Sequence, residues 1–163
     1  MRLLLLLSGL LAGCAHPTVR RDVAAVTAQL EHLPRCTGAA PPPLDAQVGA
    51  VLGREVEHSG VLRPAHATCT QLLCHWASPC CNGCGGEWVL EQGDVRLRLE
   101  LAPGVLEHWG GRDCSVAAVE ALGVPARVRG RLVELPYEQT TGPLARLRLA
   151  PSTVCTGGGV DAR

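Results

Sequence analysis

Nine cysteines in 163 residues constrain this chain more than any other feature. A small domain so rich in cysteine either closes disulfides in an oxidising compartment or holds a metal. Eight of the nine (Cys36, Cys69, Cys74, Cys80, Cys81, Cys84, Cys114 and Cys155) lie in the body of the chain, and Cys14 stands apart, directly behind an apolar run. Eight is an even number, as a closed disulfide framework requires. The role of Cys14 is then set by what precedes it.

Met1-Arg2 is a minimal positive start, and Leu3 to Leu11 is an apolar run interrupted only by Ser8 and Gly9. As a helix, these roughly ten residues reach about 15 Å, half of the ~30 Å hydrocarbon core, so they do not span a membrane. They read as the apolar region of an export signal. Leu11-Ala12-Gly13-Cys14 that follows resembles the lipobox of bacterial lipoproteins: a branched apolar residue, two small residues, then cysteine. The resemblance implies that the Cys14 thiol takes up a diacylglyceryl group, that residues 1–13 are removed, and that the new amine is acylated. Two or more acyl chains anchor stably where one does not. Ala15, in place of an Asp, points to the outer membrane, with the domain facing the periplasm.

Along the mature chain, Val19, Val23, Val26, Leu30 and Leu33 recur at alternating steps of four and three, one stripe of an amphipathic helix that Pro34 stops. Residues 37–45 form a stiff Pro-rich linker. From there the period changes to two. Val56, His58, Gly60 and Leu62 alternate with Glu55, Glu57, Ser59 and Arg63 as a first strand. Residues 64–86 hold five cysteines and little periodicity. Glu87–Glu91 and the run Val95-Leu97-Leu99-Leu101 follow as strands two and three around a Gly93-Asp94 turn. A helix capped at Asp113 or Ser115 carries Val116, Val119 and Leu122 and ends before Gly123 and Pro125. Val128-Gly130-Leu132 and Ala145-Leu147-Leu149 supply strands four and five. This order predicts a mainly β domain, a small five-stranded OB-like barrel with one helix between strands three and four, preceded by an N-terminal helix and linker. A disulfide-stapled β-sandwich is the alternative architecture. Gly60 and Gly130 occupy equivalent places in strands one and four and are the expected points of sharp bending. The boundaries read as a signal over 1–13, a tether over 14–46, the domain over 47–156 and a tail over 157–163.

The segment Pro79-Cys80-Cys81-Asn82-Gly83-Cys84 resembles a Cys-Cys-Asn-x-Cys signature of small Cys-rich bacterial lipoproteins and exported domains with an OB-like core. The resemblance carries no activity. The eight cysteines read as a structural framework, because a loop of some two dozen residues in a compact domain is costly unless stapled. Adjacent Cys80 and Cys81 each need a partner elsewhere. Two other uses of the cluster stay open. Cys69, Cys74, Cys81 and Cys84, with His66 or His75, offer the donor types of a zinc site. Cys81-Asn82-Gly83-Cys84 has thioredoxin-like spacing, without the strand-to-helix setting that lowers a thiol pKa.

Charge excludes little and implies little. The 15 basic residues are all arginine and balance 15 acids. The chain lacks Lys, Ile and Phe, a bias that a GC-rich gene explains. With aromatics at 2%, the core is expected to be Leu, Val and Ala, and the stacking platforms of nucleic-acid binders are missing. On the expected barrel, strands three, five and four place Arg96, Arg98, Arg146, Arg148, Arg127, Arg129 and Arg131 outward, with Glu100 and Glu134 nearby. Such a face suits an anionic envelope component, a lipid headgroup or a glycan, although outward strand positions need polar residues in any case. No catalytic motif is present. His108, Asp113 and Ser115 are the right types for acyl transfer but lack a nucleophile frame. His58, inward on a strand, reads as a satisfied core histidine. These features describe a lipid-anchored envelope lipoprotein whose small domain binds or supports without catalysis and without a cofactor beyond its lipid. A metal-binding or thiol-redox protein using the 69–84 cluster is the alternative.

Overall fold

The computed structural model describes residues 16–39, 41, 52–93, 95–100, 103–134 and 147–157. The first element is helix α1 (Pro17–His32). Pro17 suits its first turn, where an N–H has no intrahelical partner, and the His16 ring accepts from the Thr18 N–H at 3.3 Å. The helix ends where Leu33 turns extended ahead of Pro34. Its expected stripe is real: Val26 and Leu30 are buried, and Val23 and Leu33 pack beside them.

Strands β1 (Glu55–Cys69), β2 (Gly83–Gln92), β3 (Val95–Leu99), β4 (Trp109–Arg112), β5 (Val124–Glu134) and β6 (Leu147–Thr156) form one sheet among the described residues. A 3-10 turn (Asp113–Ser115) and helix α2 (Val116–Glu120) separate β4 from β5. Five strands close a ring of hydrogen bonds: β1 pairs with β2, β2 with β3, β3 with β6, β6 with β5, and β5 with β1. Only the β3–β6 pairing is parallel. β4 lies outside the ring, on the β2 residues Gly83–Gly86. The mainly β fold and the N-terminal helix agree with expectation, as does the adjacency of β3, β6 and β5.

Three features depart from the sequence reading. β4 is not foreshadowed, because Trp-Gly-Gly-Arg has no alternation and two of its four residues are glycine, which disfavours strands. Residues 64–86 are not one loop, since β1 runs through Pro64 to Cys69 and β2 begins at Gly83. A register shift between Ala65 and Thr68, with His66 at φ 53°, erases the period that would have revealed this. The core is not aliphatic alone: Trp88 and Trp109 are its largest fully buried side chains. Each ring N–H is satisfied, Trp88 by the Glu107 carbonyl at 2.7 Å and Trp109 by the Glu87 carbonyl at 2.9 Å.

Gly60 and Gly130 do sit where backbones crowd. A Cβ at Gly60 would lie 2.5 Å from the Glu91 carbonyl oxygen. At Gly130, beside the register shift between β5 and β6, it would strike the Ala150 carbonyl and stand 2.7 Å from the Pro151 Cα. Both obstacles are backbone, which cannot swing aside. We expect Gly130→Ala to destabilise the domain by about 3 kcal/mol, the upper end of ordinary overpacking. Urea denaturation checks this, and a loss below about 0.5 kcal/mol would mean that β6 yields freely.

Candidate functional site

The eight cysteines of the body of the chain form four disulfides: Cys36–Cys155, Cys69–Cys84, Cys74–Cys81 and Cys80–Cys114. Adjacent Cys80 and Cys81 therefore send their bridges in different directions. Such bonds are consistent with folding outside the cytoplasm. No helix among the described residues is long and apolar enough to cross a membrane. Because Cys69, Cys74, Cys81 and Cys84 are joined in pairs, none offers a thiolate to zinc or to redox exchange while the bridges are closed. His16 approaches Cys80 Sγ at 4.0 Å, and its ring, Cys80 and Cys114 lie within 4.8 Å of one another. Both of those sulfurs are likewise committed to a bridge.

Three of the disulfides gather at one end of the domain, where the chain from Thr70 to Asn82 projects as a knuckle. The one asparagine of the sequence organises it. Asn82 accepts from the Leu72 N–H at 2.6 Å through Oδ1, and its Nδ2 donates to Asp113 at 2.9 Å. Thr70 and Gly83 close the base through their backbones at 2.9 Å. The Asn82 hydrogen bond is the main cause holding the Asp113 carboxyl below the usual aspartate value. Arg112 Nη1 donates to the Cys81 carbonyl at 2.8 Å, which fixes an exposed guanidinium at the knuckle's foot. Held on this frame, Leu72, Leu73 and Trp76 are exposed.

The N-terminus of α1 is bound to the same end through Asp22, a residue the sequence reading missed although it interrupts the apolar stripe. Asp22 is buried and accepts from the Arg112 N–H at 2.8 Å and the Ser115 hydroxyl at 2.7 Å, while Arg21 pairs with it at 3.0 Å. Burial pushes its pKa up. The hydrogen bonds from Ser115, Arg112 and Arg21 outweigh this, and the net value is lowered. Ser115 is thus tied to Asp22 and its own turn, Asp113 to Asn82, and His108 is exposed on the approach to β4. Ser115 and Asp113 hold the local structure together.

The arginines of β3, β5 and β6 are outward, but they do not form a purely basic face. Arg96 pairs with Glu91, Arg98 with Glu87 at 3.2 Å, Arg127 with Glu57 at 3.5 Å and Arg129 with Glu55 at 2.9 Å. The acids come from the neighbouring strands β1 and β2, not from Glu100 and Glu134. Arg127 is also buried, donating to the carbonyls of Thr37 at 3.0 Å and Gly38 at 3.2 Å, so it clamps the linker. Arg131 is exposed and Arg148 half-buried, opposite Arg98 in the β3–β6 pairing. Arg146, Cys14, the signal segment and most of the linker and tail lie outside the described residues.

His58 is buried as expected but is not a satisfied core histidine. Neither ring nitrogen has a hydrogen-bond partner among the described residues, and burial lowers its pKa to about 4. Comparison of the chain with models of protein families, with curated proteins and with solved structures finds no match.

Proposed function

We propose that this chain is a lipoprotein of the bacterial envelope, held in the outer membrane by acyl groups on Cys14, whose domain is a non-catalytic binding or structural module. The observation that carries the reading is the closure of all eight other cysteines into four disulfides. Cys14 has no cysteine left to pair with, as a residue reserved for lipid requires. The ring order β1-β2-β3-β6-β5, with a helix ahead of its fourth strand, supports an OB-like barrel as the scaffold. That scaffold is stapled rather than hinged: the disulfides join the segment after α1 to β6, β1 to β2, and the knuckle to the 3-10 turn. Its end bearing α1 and the knuckle is the place for contact with a larger surface.

The mature chain is expected to begin at Cys14 and to carry diacylglyceryl and acyl groups there. Mass spectrometry of the protein from membranes checks this. Cys14→Ser is expected to shift the protein from the membrane to the soluble fraction. A chain that stays membrane-bound after the substitution, or an unmodified Cys14 thiol, would defeat the proposal.

A further inference from the structure

The knuckle presents apolar side chains in a way that an uncommitted loop has no reason to. Leu73 is fully exposed, Trp76 is 86% exposed and Leu72 63% exposed, whereas the other two tryptophans are buried. This is not loose chain. The Cys74–Cys81 bridge closes a loop of seven-residue separation inside the knuckle, and Asn82 pins the Leu72 backbone from both sides, accepting its N–H at 2.6 Å and donating to its carbonyl at 3.4 Å. Isolated exposed apolar residues are ordinary, but three on one rigid projection mark a contact surface.

Position selects the occupant. His16, the residue before α1, lies 4.0 Å from Cys80, and Cys80 is the chain neighbour of Cys81 at the knuckle's base. Cys14 is two residues before His16, a reach of about 7 Å for extended chain. A lipid on Cys14 thus brings the knuckle's end of the domain to the bilayer, and any other partner would have to displace the membrane to reach it. Chemistry agrees with position. Residues 64–86 contain no Asp, Glu or Arg, so the knuckle and the strand ends that carry it have no formal charge with the histidines neutral. Tryptophan favours the bilayer interface, where its apolar ring and N–H are both accommodated. Arg112, exposed at the knuckle's foot, stands where lipid phosphates would be met.

We infer that Leu72, Leu73 and Trp76 insert into the interfacial region of the bilayer that holds the lipid anchor, fixing the orientation of the domain on the membrane. The inference rests on Cys14 lipidation for its geometry, and its test is separable from that reading. Trp76 is its own reporter, because Trp88 and Trp109 are buried and the difference from Trp76→Leu isolates its signal.

The native lipidated protein is reconstituted into vesicles of phosphatidylethanolamine and phosphatidylglycerol, with and without brominated acyl chains. Trp76 emission is expected to shift to the blue and to lose at least about half its intensity to the brominated lipid, while acrylamide quenching falls severalfold. A Trp76 that stays open to acrylamide and blind to bromine overturns the inference, even with Cys14 shown to be acylated. Protection seen only in native membranes, and not in these vesicles, would assign the knuckle to a protein partner and equally overturn it.

The second measurement needs no lipid on the protein. The Cys14→Ser chain, made without residues 1–13, is added to the same vesicles, and Leu72→Ser, Leu73→Ser and Trp76→Ser together are expected to lower its partitioning about tenfold or more. These side chains support no core, so the variant retains the near-ultraviolet circular dichroism of the buried Trp88 and Trp109. Equal partitioning of the two chains defeats insertion whatever the state of Cys14. Loss of partitioning alongside an unmodified Cys14 in the native protein keeps insertion and sinks only the anchor.

Discussion

Replacing Cys36 and Cys155 together by alanine is expected to cost close to 5 kcal/mol, the largest loss from any of the four bridges. The two residues are 119 apart in sequence, so their bond removes more freedom from the unfolded chain than the other three. On the same loop-entropy scale the Cys74–Cys81 bridge, with a separation of only seven residues, contributes about 2.5 kcal/mol. Native contacts add to the difference. The segment after α1 is laid along β6, with the Cys36 N–H donating to the Thr156 carbonyl at 2.9 Å and the Thr156 N–H donating to Pro34 at 2.8 Å. Without the bridge, that short parallel pairing and the Arg127 hydrogen bonds to Thr37 and Gly38 would be left to hold the chain that follows α1, whose Val26 and Leu30 are in the core. Urea denaturation of both double variants measures the order. A Cys74–Cys81 variant that loses more than the Cys36–Cys155 variant would show that native strain or residual unfolded structure, not loop length, sets these energies.

Acid should weaken the domain through His58 before it reaches the carboxylates. Burial lowers the pKa of this imidazole from 6.5 to about 4, so between those values the unfolded chain binds a proton that the native core refuses. The contribution is complete above the unfolded value near 6.5. As pH falls from there to about 4, stability is expected to drop by about 3 kcal/mol. The Asp22 carboxyl acts in a lower window. Its folded pKa is below the ordinary aspartate value, so its contribution is present above that value and is lost only as pH falls through the folded one. His58→Leu should remove the first loss and leave the second. It also replaces two ring nitrogens that have no hydrogen-bond partner among the described residues, so the variant should gain on the wild type near pH 4.5. Denaturation midpoints from pH 7.5 to 4 read this directly, and an unchanged slope in His58→Leu would refute the assignment.

The ring strands were legible because their inward residues alternate with charged ones: Leu97 between Arg96 and Arg98, Val128 between Arg127 and Arg129. What escaped the sequence was built from residues with no such period. β4 is half glycine, the far part of β1 is irregular around Pro64 and His66, and β6 runs on through Pro151. Even disulfide pairing was readable from the count of eight cysteines, but the connectivity was not, because it depends on which strands are neighbours. The arginine face was half legible. The pleat gave the outward direction correctly, yet only the register of β1 and β2 reveals that Glu55, Glu57, Glu87 and Glu91 meet four of the guanidiniums. The knuckle left one readable sign: three large apolar residues crowded among cysteines, in a stretch too short and too closely stapled to form a regular element with a buried face.

The adjacent pair Cys80–Cys81 poses a problem of biogenesis. Exchanging their partners, so that Cys80 takes Cys74 and Cys81 takes Cys114, alters each closed loop by a single residue. Chain entropy separates the two isomers by only about 0.1 kcal/mol, so random oxidation would populate both. The native choice must come from the contacts that set the neighbouring backbone, chiefly Arg112 on the Cys81 carbonyl and Asn82 on Leu72 and Asp113. The Arg112 and Asp113 contacts among them exist only after β4 and the 3-10 turn have docked. Correct oxidation is therefore a late event in maturation, and early errors have to be undone by thiol exchange. Thiol exchange of the kind a disulfide isomerase catalyses, beyond oxidation alone, is the chemistry that sorts such a pair.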